Sequence, residues 1–434
     1  MLEIENKIPK ILAITVSSWN SKVGSNTWPT LLEQYGKDNV ANICLREERP
    51  DSNVCSRYFV VSENRVLKSV LDRRIKTGRE ITPEFVKEDK SEDLDEHNKR
   101  YQKMKKKRRY SMLLGRELVW MLGKWCTKEL DDFLDSFKPD VIVYSMEGYI
   151  HLNRIIEYSI KRTGASSVGY FWDDNFTYKQ STKIGHRVYR FFQRKSLKKL
   201  AGMTNSFFAI SSMTKREADE FFGVNCRILT KPLNNLPLVN REEINMPIRM
   251  LYTGNLLIGR DRSLFKIVSA IDRLSDAPFT LDVYTQTILT DEKKHALEES
   301  GVCKIHAPIP QSEVLEKQKA ADILLFLEDI DGPDAHTARL SFSTKITDYL
   351  SSGKSIFAVG CRETAPMQYF IENDAAIVAS SDEEIFNALS LILASPNQLN
   401  DYAERARDTG IRNHSKEIIL GVFDETIKEV IKGR

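Results

Sequence analysis

Lys345 and Asp348 lie three residues apart in Leu340–Lys354, where Ser341-Phe342-Ser343-Thr344-Lys345 opens a short helix and Gly353 stops it. The start of a helix offers backbone N–H groups to an anion. A lysine in the first turn opposes the helix dipole, so a positive charge kept there points to a negative ligand. Asp348, one turn on, can accept hydrogen bonds from hydroxyl groups. Phosphate next to sugar hydroxyls is the pattern of a nucleotide sugar. Taken singly, Lys345 reads equally as a surface lysine and Asp348 as a helix-surface carboxylate; the order of strand, polar loop, Ser-Phe-Ser-Thr-Lys, Asp, Ser-Gly-Lys and next strand favours a site.

A second cluster precedes it. Ile248–Thr253 reads as a strand running into Gly254-Asn255, and Gly259-Arg260-Asp261-Arg262 then enters a helix. Gly254 lets a ligand approach the backbone. Arg260 and Arg262 can pair with phosphate oxygens. The turn reads also as an ordinary tight αβ loop. It lacks G-x-G-x-x-G, which argues against a nicotinamide-dependent enzyme.

In the first half, Gly24 follows the first expected strand, in a loop where Asn26 also suits a helix cap ahead of Pro29. Glu147 ends the strand Val141–Tyr144, and Asp173 and Asp174 end the one beginning at Ser167. Carboxylates at such tips could orient or deprotonate an acceptor hydroxyl; Asp173 and Asp174 could equally cap the next segment. His151 opens a helix and reads as structural.

The elements that must position these residues follow an α/β rhythm. Short apolar runs alternate with helix-length amphipathic stretches, as in βαβ units around parallel sheets. The expected long helices include Leu113–Phe137 and Gly185–Leu200. The 434 residues divide into an expected first domain at 1–235, a second at 236–412 and a closing helix within 413–434. The boundary falls in Thr230–Pro247, which carries Pro232, Pro237 and Pro247 and little periodicity. Ser62–Arg109 is highly charged and reads as an insertion. It ends in Lys99–Arg109, with eight basic residues in eleven, followed by aromatic and aliphatic residues as far as Trp125. Lys99–Trp125 suits an anionic membrane surface; the alternative is a solvated basic loop followed by a core helix.

Bulk properties exclude several classes. The net charge of +3 is too small to imply nucleic acid as a partner. Six cysteines without C-x-x-C spacing suit reduced thiols in the cytoplasm. Seven histidines show no metal-ligand spacing, so no metal site is expected. Met1–Lys10 has no signal-peptide core, and no apolar run is long enough to span a membrane.

The pattern Tyr252-Thr-Gly-Asn, Gly259-Arg260 and Phe342-Ser-Thr-Lys345-x-x-Asp348-Tyr-Leu-x-Ser-Gly353 resembles the donor domain of GT-B glycosyltransferases. It is most similar to the retaining, nucleotide-sugar-dependent enzymes of bacterial surface polysaccharide synthesis. The similarity covers about Arg249–Arg412; the first half matches in architecture. It implies two Rossmann-like parallel-sheet domains facing across a cleft, with the C-terminal helix crossing back to the first. It implies a UDP-, GDP- or similar sugar as donor and a saccharide or lipid-linked acceptor, with no obligatory divalent ion. The expected location is the cytoplasm, at the inner face of the membrane if the protein is peripheral.

By the same resemblance Arg260 and Lys345 hold the leaving diphosphate and Asp348 holds the ribose. Gly254, Asn255, Arg262 and the backbone of Phe342, Ser343 and Thr344 complete the donor site. Asp173 is the acid–base candidate. Gly24, Glu147 and Asp174 line the acceptor side. The chain departs from the family's E-x7-E pattern at Leu340 and lacks its Gly-Gly pair near Gly24. Those departures keep two alternatives open, a sugar-nucleotide epimerase on the same fold and a non-catalytic partner of another transferase.

Overall fold

The computed structural model describes residues 8–19, 27–47, 50–81, 110–181, 183–233, 243–274 and 278–433. The chain forms two compact units. One comprises Met1–Ile210, Thr214–Leu229 and Leu420–Arg434, and the other Ser211–Met213 and Thr230–Ile419.

The strands of the first unit are β1 (Ile11–Thr15), β2 (Val40–Cys44), β3 (Arg57–Val61), β4 (Gly78–Ile81), β5 (Val141–Ser145), β6 (Ser166–Phe171), β7 (Ser206–Ala209) and β8 (Arg227–Ile228). They form one sheet in the order β4-β3-β2-β1-β5-β6-β7-β8. Every pairing is parallel except β3 with β4. Val40–Cys44 and Val141–Ser145 are buried along their whole length, as strands covered by helices on both faces must be. The order turns back between β1 and β5. Ligands of open α/β sheets bind beyond the carboxyl ends of strands at such a point.

The end of the chain closes this unit. Phe423, from the helix Lys416–Lys432, packs its ring on Trp28, Tyr35 and Phe208. Tyr35 donates to Asp424 at 3.0 Å, and Ser166 donates to the Val430 carbonyl at 2.7 Å.

The second unit contains β9 (Ile248–Thr253), β10 (Phe279–Tyr284), β11 (Cys303–His306), β12 (Ile323–Leu327), β13 (Ser355–Val359) and β14 (Ile377–Ala379). They lie in the order β11-β10-β9-β12-β13-β14, all parallel. The core gathers Met250, Leu281, Ile323, Leu325 and Phe357 of the sheet with Leu264, Ile267 and Leu389 of covering helices. The order turns back between β9 and β12. The turns after those two strands carry Gly254 and Glu328.

Two expectations need correction. Residues 62–81 are integral to the first sheet: Ser62 caps the helix Glu63–Ser69, and β4 adds an antiparallel edge to β3. The polar sequence Gly-Arg-Glu-Ile hid that strand. Its Glu80 faces outward, where it pairs with Arg57 at 2.6 Å. The helix expected over Leu113–Phe137 is two helices, Tyr110–Leu122 and Lys128–Phe137. The break lies at Gly123, where a Cβ would come within 2.5 Å of Val66. Thr127 caps the second helix by accepting from the Leu130 amide.

Candidate active site

In the second unit, β9 ends at Thr253 and Gly254 turns the chain with φ 144°, a conformation that favours glycine. A Cβ on Gly254 would lie only 2.0 Å from Lys345 Nζ. Lys345 enters from the helix Thr344–Leu350, capped by Ser343, whose hydroxyl accepts from the Lys345 amide at 3.3 Å. Its ammonium lies 4.4 Å from the centre of the Tyr252 ring and 3.3 Å from the Tyr252 hydroxyl. Burial, helped by the nearby Arg260 charge, lowers its pKa to about 8, while Glu328 and Asp348 act the other way. A cation held this way is poised to gain from an anionic ligand.

Arg260 opens the helix Arg260–Asp272 behind Gly259. Its guanidinium is held on three sides: Nη2 donates to Glu328 at 2.9 and 3.2 Å, Nε to the Leu327 carbonyl at 3.1 Å, and Nη1 to Asn255 Oδ1 at 2.9 Å. Burial works against its charge, but the Glu328 carboxylate more than offsets this and raises its pKa. The Arg260–Glu328 pair thus bridges the turns after β9 and β12, the two central strands.

Other candidates have partners of their own within this unit. Arg262 donates to Asp329 and, at 3.1 Å, to Asp334, tying down the loop after β12. A Cβ on Gly259 or Gly332 would collide with this pair. Phe342 turns its ring into Tyr369, edge to face at 5.0 Å, so what it offers a ligand is backbone. Asp348 accepts from Lys231 at 3.0 Å. Leu340 is fully buried in the core, which accounts for an apolar residue where the resembled enzymes carry glutamate.

Tyr252 and Lys231 escaped the sequence reading as site residues, and Glu328 entered it only as the start of the polar loop Glu328–Thr337. Tyr252 stands in the Tyr-Thr-Gly-Asn motif, and Glu328 directly follows an apolar strand. Both were visible as residues, though not as partners of Lys345 and Arg260. Lys231 lies in a proline-rich stretch without periodicity, and no local signal marks it.

In the first unit, Glu147 follows β5 at the turning point of the sheet. Burial and the neighbouring Asp173 raise its pKa to about 7, against smaller lowering effects of Trp172 and Arg46. Arg46, following β2, donates to Ser17 Oγ beyond β1 at 3.0 Å. Carboxyls paired in this way are candidates for acid–base work. Asp174 is different: it is fully buried, and its oxygens accept from the Thr177 amide at 2.9 Å and the Thr177 hydroxyl at 2.5 Å. It shapes the turn instead of facing an acceptor. Gly24 and the basic run Lys99–Arg109 lie outside the described residues. His151 is buried, stacked on Trp120 at 4.6 Å with Nδ1 3.0 Å from Glu117, in keeping with a structural role.

No protein-family model matches the sequence, and no curated protein matches it. Solved structures do. Sucrose-phosphate synthase from Thermosynechococcus elongatus superposes with a TM-score of 0.63 at 11% identity, covering 98% of this chain and 99% of its own. HepE from Anabaena, in complex with UDP, gives 0.61 at 9% identity over 97% and 100%. A glycosyltransferase from Rickettsia africae gives 0.57 at 13% identity over 98% and 99%. This chain has the GT-B fold. In the longer GtfA/B complex the chain spans 60% of the matched protein. The GT-B architecture accounts for the two mostly parallel sheets and for the return of the final helix to the first unit. It does not by itself assign a substrate.

Proposed function

We propose that the chain is a glycosyltransferase that moves a sugar from a nucleoside diphosphate donor to a saccharide or lipid-linked acceptor. The observation that carries this reading is the placement of Lys345 Nζ against Gly254, with Arg260 in the same site at the turning point of the second sheet. Two cations beside a glycine turn give a diphosphate both charge and close access to backbone. HepE, which shares the fold, has been solved with UDP and with UDP-glucose. A UDP sugar is the first donor to test, followed by GDP and other diphosphate sugars.

In the reaction the bond from the anomeric carbon to the diphosphate oxygen breaks, and its electron pair leaves with the nucleotide. The acceptor oxygen bonds to the same carbon. Lys345 and Arg260 stabilise charge on the departing diphosphate. Configuration is retained, with attack on the face the nucleotide leaves, so the acceptor proton can pass to a phosphate oxygen. Asp348, shared with Lys231, receives the ribose hydroxyls. Glu147 and Asp173 orient the acceptor. The setting is polysaccharide or glycoconjugate synthesis on the cytoplasmic side of a membrane.

The test is a thermal-shift screen over nucleoside diphosphates and their sugars, followed by turnover with the best donor. Stabilisation by a nucleoside diphosphate, and not by the matching monophosphate, supports the reading. A protein that responds to neither, while folded, contradicts it.

A further inference from the structure

The helix Tyr110–Leu122 exposes most of its apolar residues. Only Glu117 and Trp120 on it are buried, while Leu118 is 54% and Met121 64% exposed. Its buried carboxylate is satisfied by His151 and its buried Trp120 stacks on that ring, while Met112, Leu118, Met121 and Leu122 stay exposed. The helix therefore packs through one edge only and leaves an exposed apolar face that needs a partner.

A second helix continues that face. Ile184–Ala201 packs beside the first: a Cβ on Gly185 would touch the Tyr110 ring at 2.9 Å, and the Tyr110 and His186 rings lie 5.8 Å apart. Ile184, Val188, Phe191 and Phe192 are exposed on it, Ile184 at 81%. Helical spacing puts all four on one stripe. Two turns on, the same stripe becomes basic, with exposed Lys195 and Lys198, and Arg187 on its flank. This helix contains no acidic residue, and the one acidic residue of its neighbour is buried. The sequence entering the first helix is the run Lys99–Arg109. No helix of the described residues is long and apolar enough to cross a membrane.

We propose that this two-helix face docks on an anionic lipid surface, with Phe191 and Phe192 entering the headgroup boundary and the basic residues meeting lipid phosphates. Exposed apolar residues flanked by cations, on two helices that themselves carry no exposed carboxylate, match a bilayer in both chemistry and charge. A protein partner of mixed charge would find no complementary acid on either helix. The proposal concerns attachment and stands apart from the transfer reaction, so its test needs no turnover.

The test is sedimentation of the full chain with phosphatidylcholine vesicles, with and without phosphatidylglycerol, at low and high salt. The expected result is binding to the anionic vesicles only, weakened by salt. Phe191→Ser with Phe192→Ser should reduce partitioning about tenfold or more. Arg187→Gln with Lys195→Gln should reduce it and flatten the salt dependence. Circular dichroism confirms that each variant is folded. Wild-type protein left in the supernatant with anionic vesicles overturns the proposal. So does full binding by the phenylalanine variant while neutralising Lys105–Arg109 abolishes it. A concentration-dependent dimer that the phenylalanine variant dissolves would also overturn it, by assigning the face to a second copy.

Discussion

Lys345 Nζ occupies the space that a side chain at position 254 would need: a Cβ on Gly254 would approach it to 2.0 Å. Two motifs distant in sequence therefore form one site, and the glycine is required by the lysine as well as by its own φ of 144°.

Gly254→Ala should consequently damage two things at once. The displaced ammonium should cost at least tenfold in affinity for a nucleoside diphosphate. The backbone strain should cost about 1–3 kcal/mol of stability. Calorimetric titration and thermal unfolding of the same variant separate the two effects.

Ligand affinity should depend on pH through Lys345. Its pKa in the free protein is about 8, below the ordinary 10.5. Below that value the lysine is already charged, so this group adds no pH dependence. Above it, binding an anion requires proton uptake, so affinity should fall as pH rises, up to tenfold per unit. The free protein should show the matching stability effect: the unfolded chain binds more protons between about 8 and 10.5, so Lys345 disfavours folding less as pH rises through that window. Titration of the diphosphate across this range, with Lys345→Arg expected to move the fall to higher pH, checks the assignment.

Glu147 should behave in the opposite sense. Its pKa is raised from 4.5 to about 7, so its contribution to stability is complete below 4.5 and lost as pH rises through about 7. Glu147→Gln should therefore stabilise the protein above neutral pH, by roughly 1–3 kcal/mol. If Glu147 also handles the acceptor, the same variant should remove a rise in kcat/KM centred near pH 7. Thermal unfolding at acid and alkaline pH, set beside a pH–rate profile, gives both readouts.

The Arg260–Glu328 pair joins the turns after the two central strands of the second sheet. Glu328→Ala should destabilise the chain by about 3 kcal/mol, because it leaves a largely buried guanidinium uncompensated. Arg260→Lys should not restore function, since a lysine cannot reproduce bonds to Glu328, Leu327 and Asn255 together. Denaturant unfolding measures the first effect and donor turnover the second.

Much of this was legible in the sequence because its signals are local. Strands buried on both faces read as apolar runs; Gly254 ends such a run, and Arg260 and Lys345 sit in the first turn of helices. What was hidden depends on distant partners. The break at Gly123 follows from close packing on Val66, and β4 is a polar edge whose place is set by β3. Arg262 reads as a phosphate ligand, and its pairing with Asp329 and Asp334 has no local signal. Asp174 looked like an acceptor-side carboxylate, yet Thr177 takes both its oxygens. The outward apolar face of Tyr110–Leu122 could not be read from composition, since the same residues would suit a core.

The central claim is that Lys345 and Arg260 hold the diphosphate of a nucleotide donor. Its most direct test is calorimetric titration of wild type and Lys345→Ala with the nucleoside diphosphate that best stabilises the wild type. We predict affinity at least a hundredfold weaker in the variant, with an unchanged fold and no turnover. Equal affinity in the two proteins, or near-normal transfer by Lys345→Ala, would contradict the account.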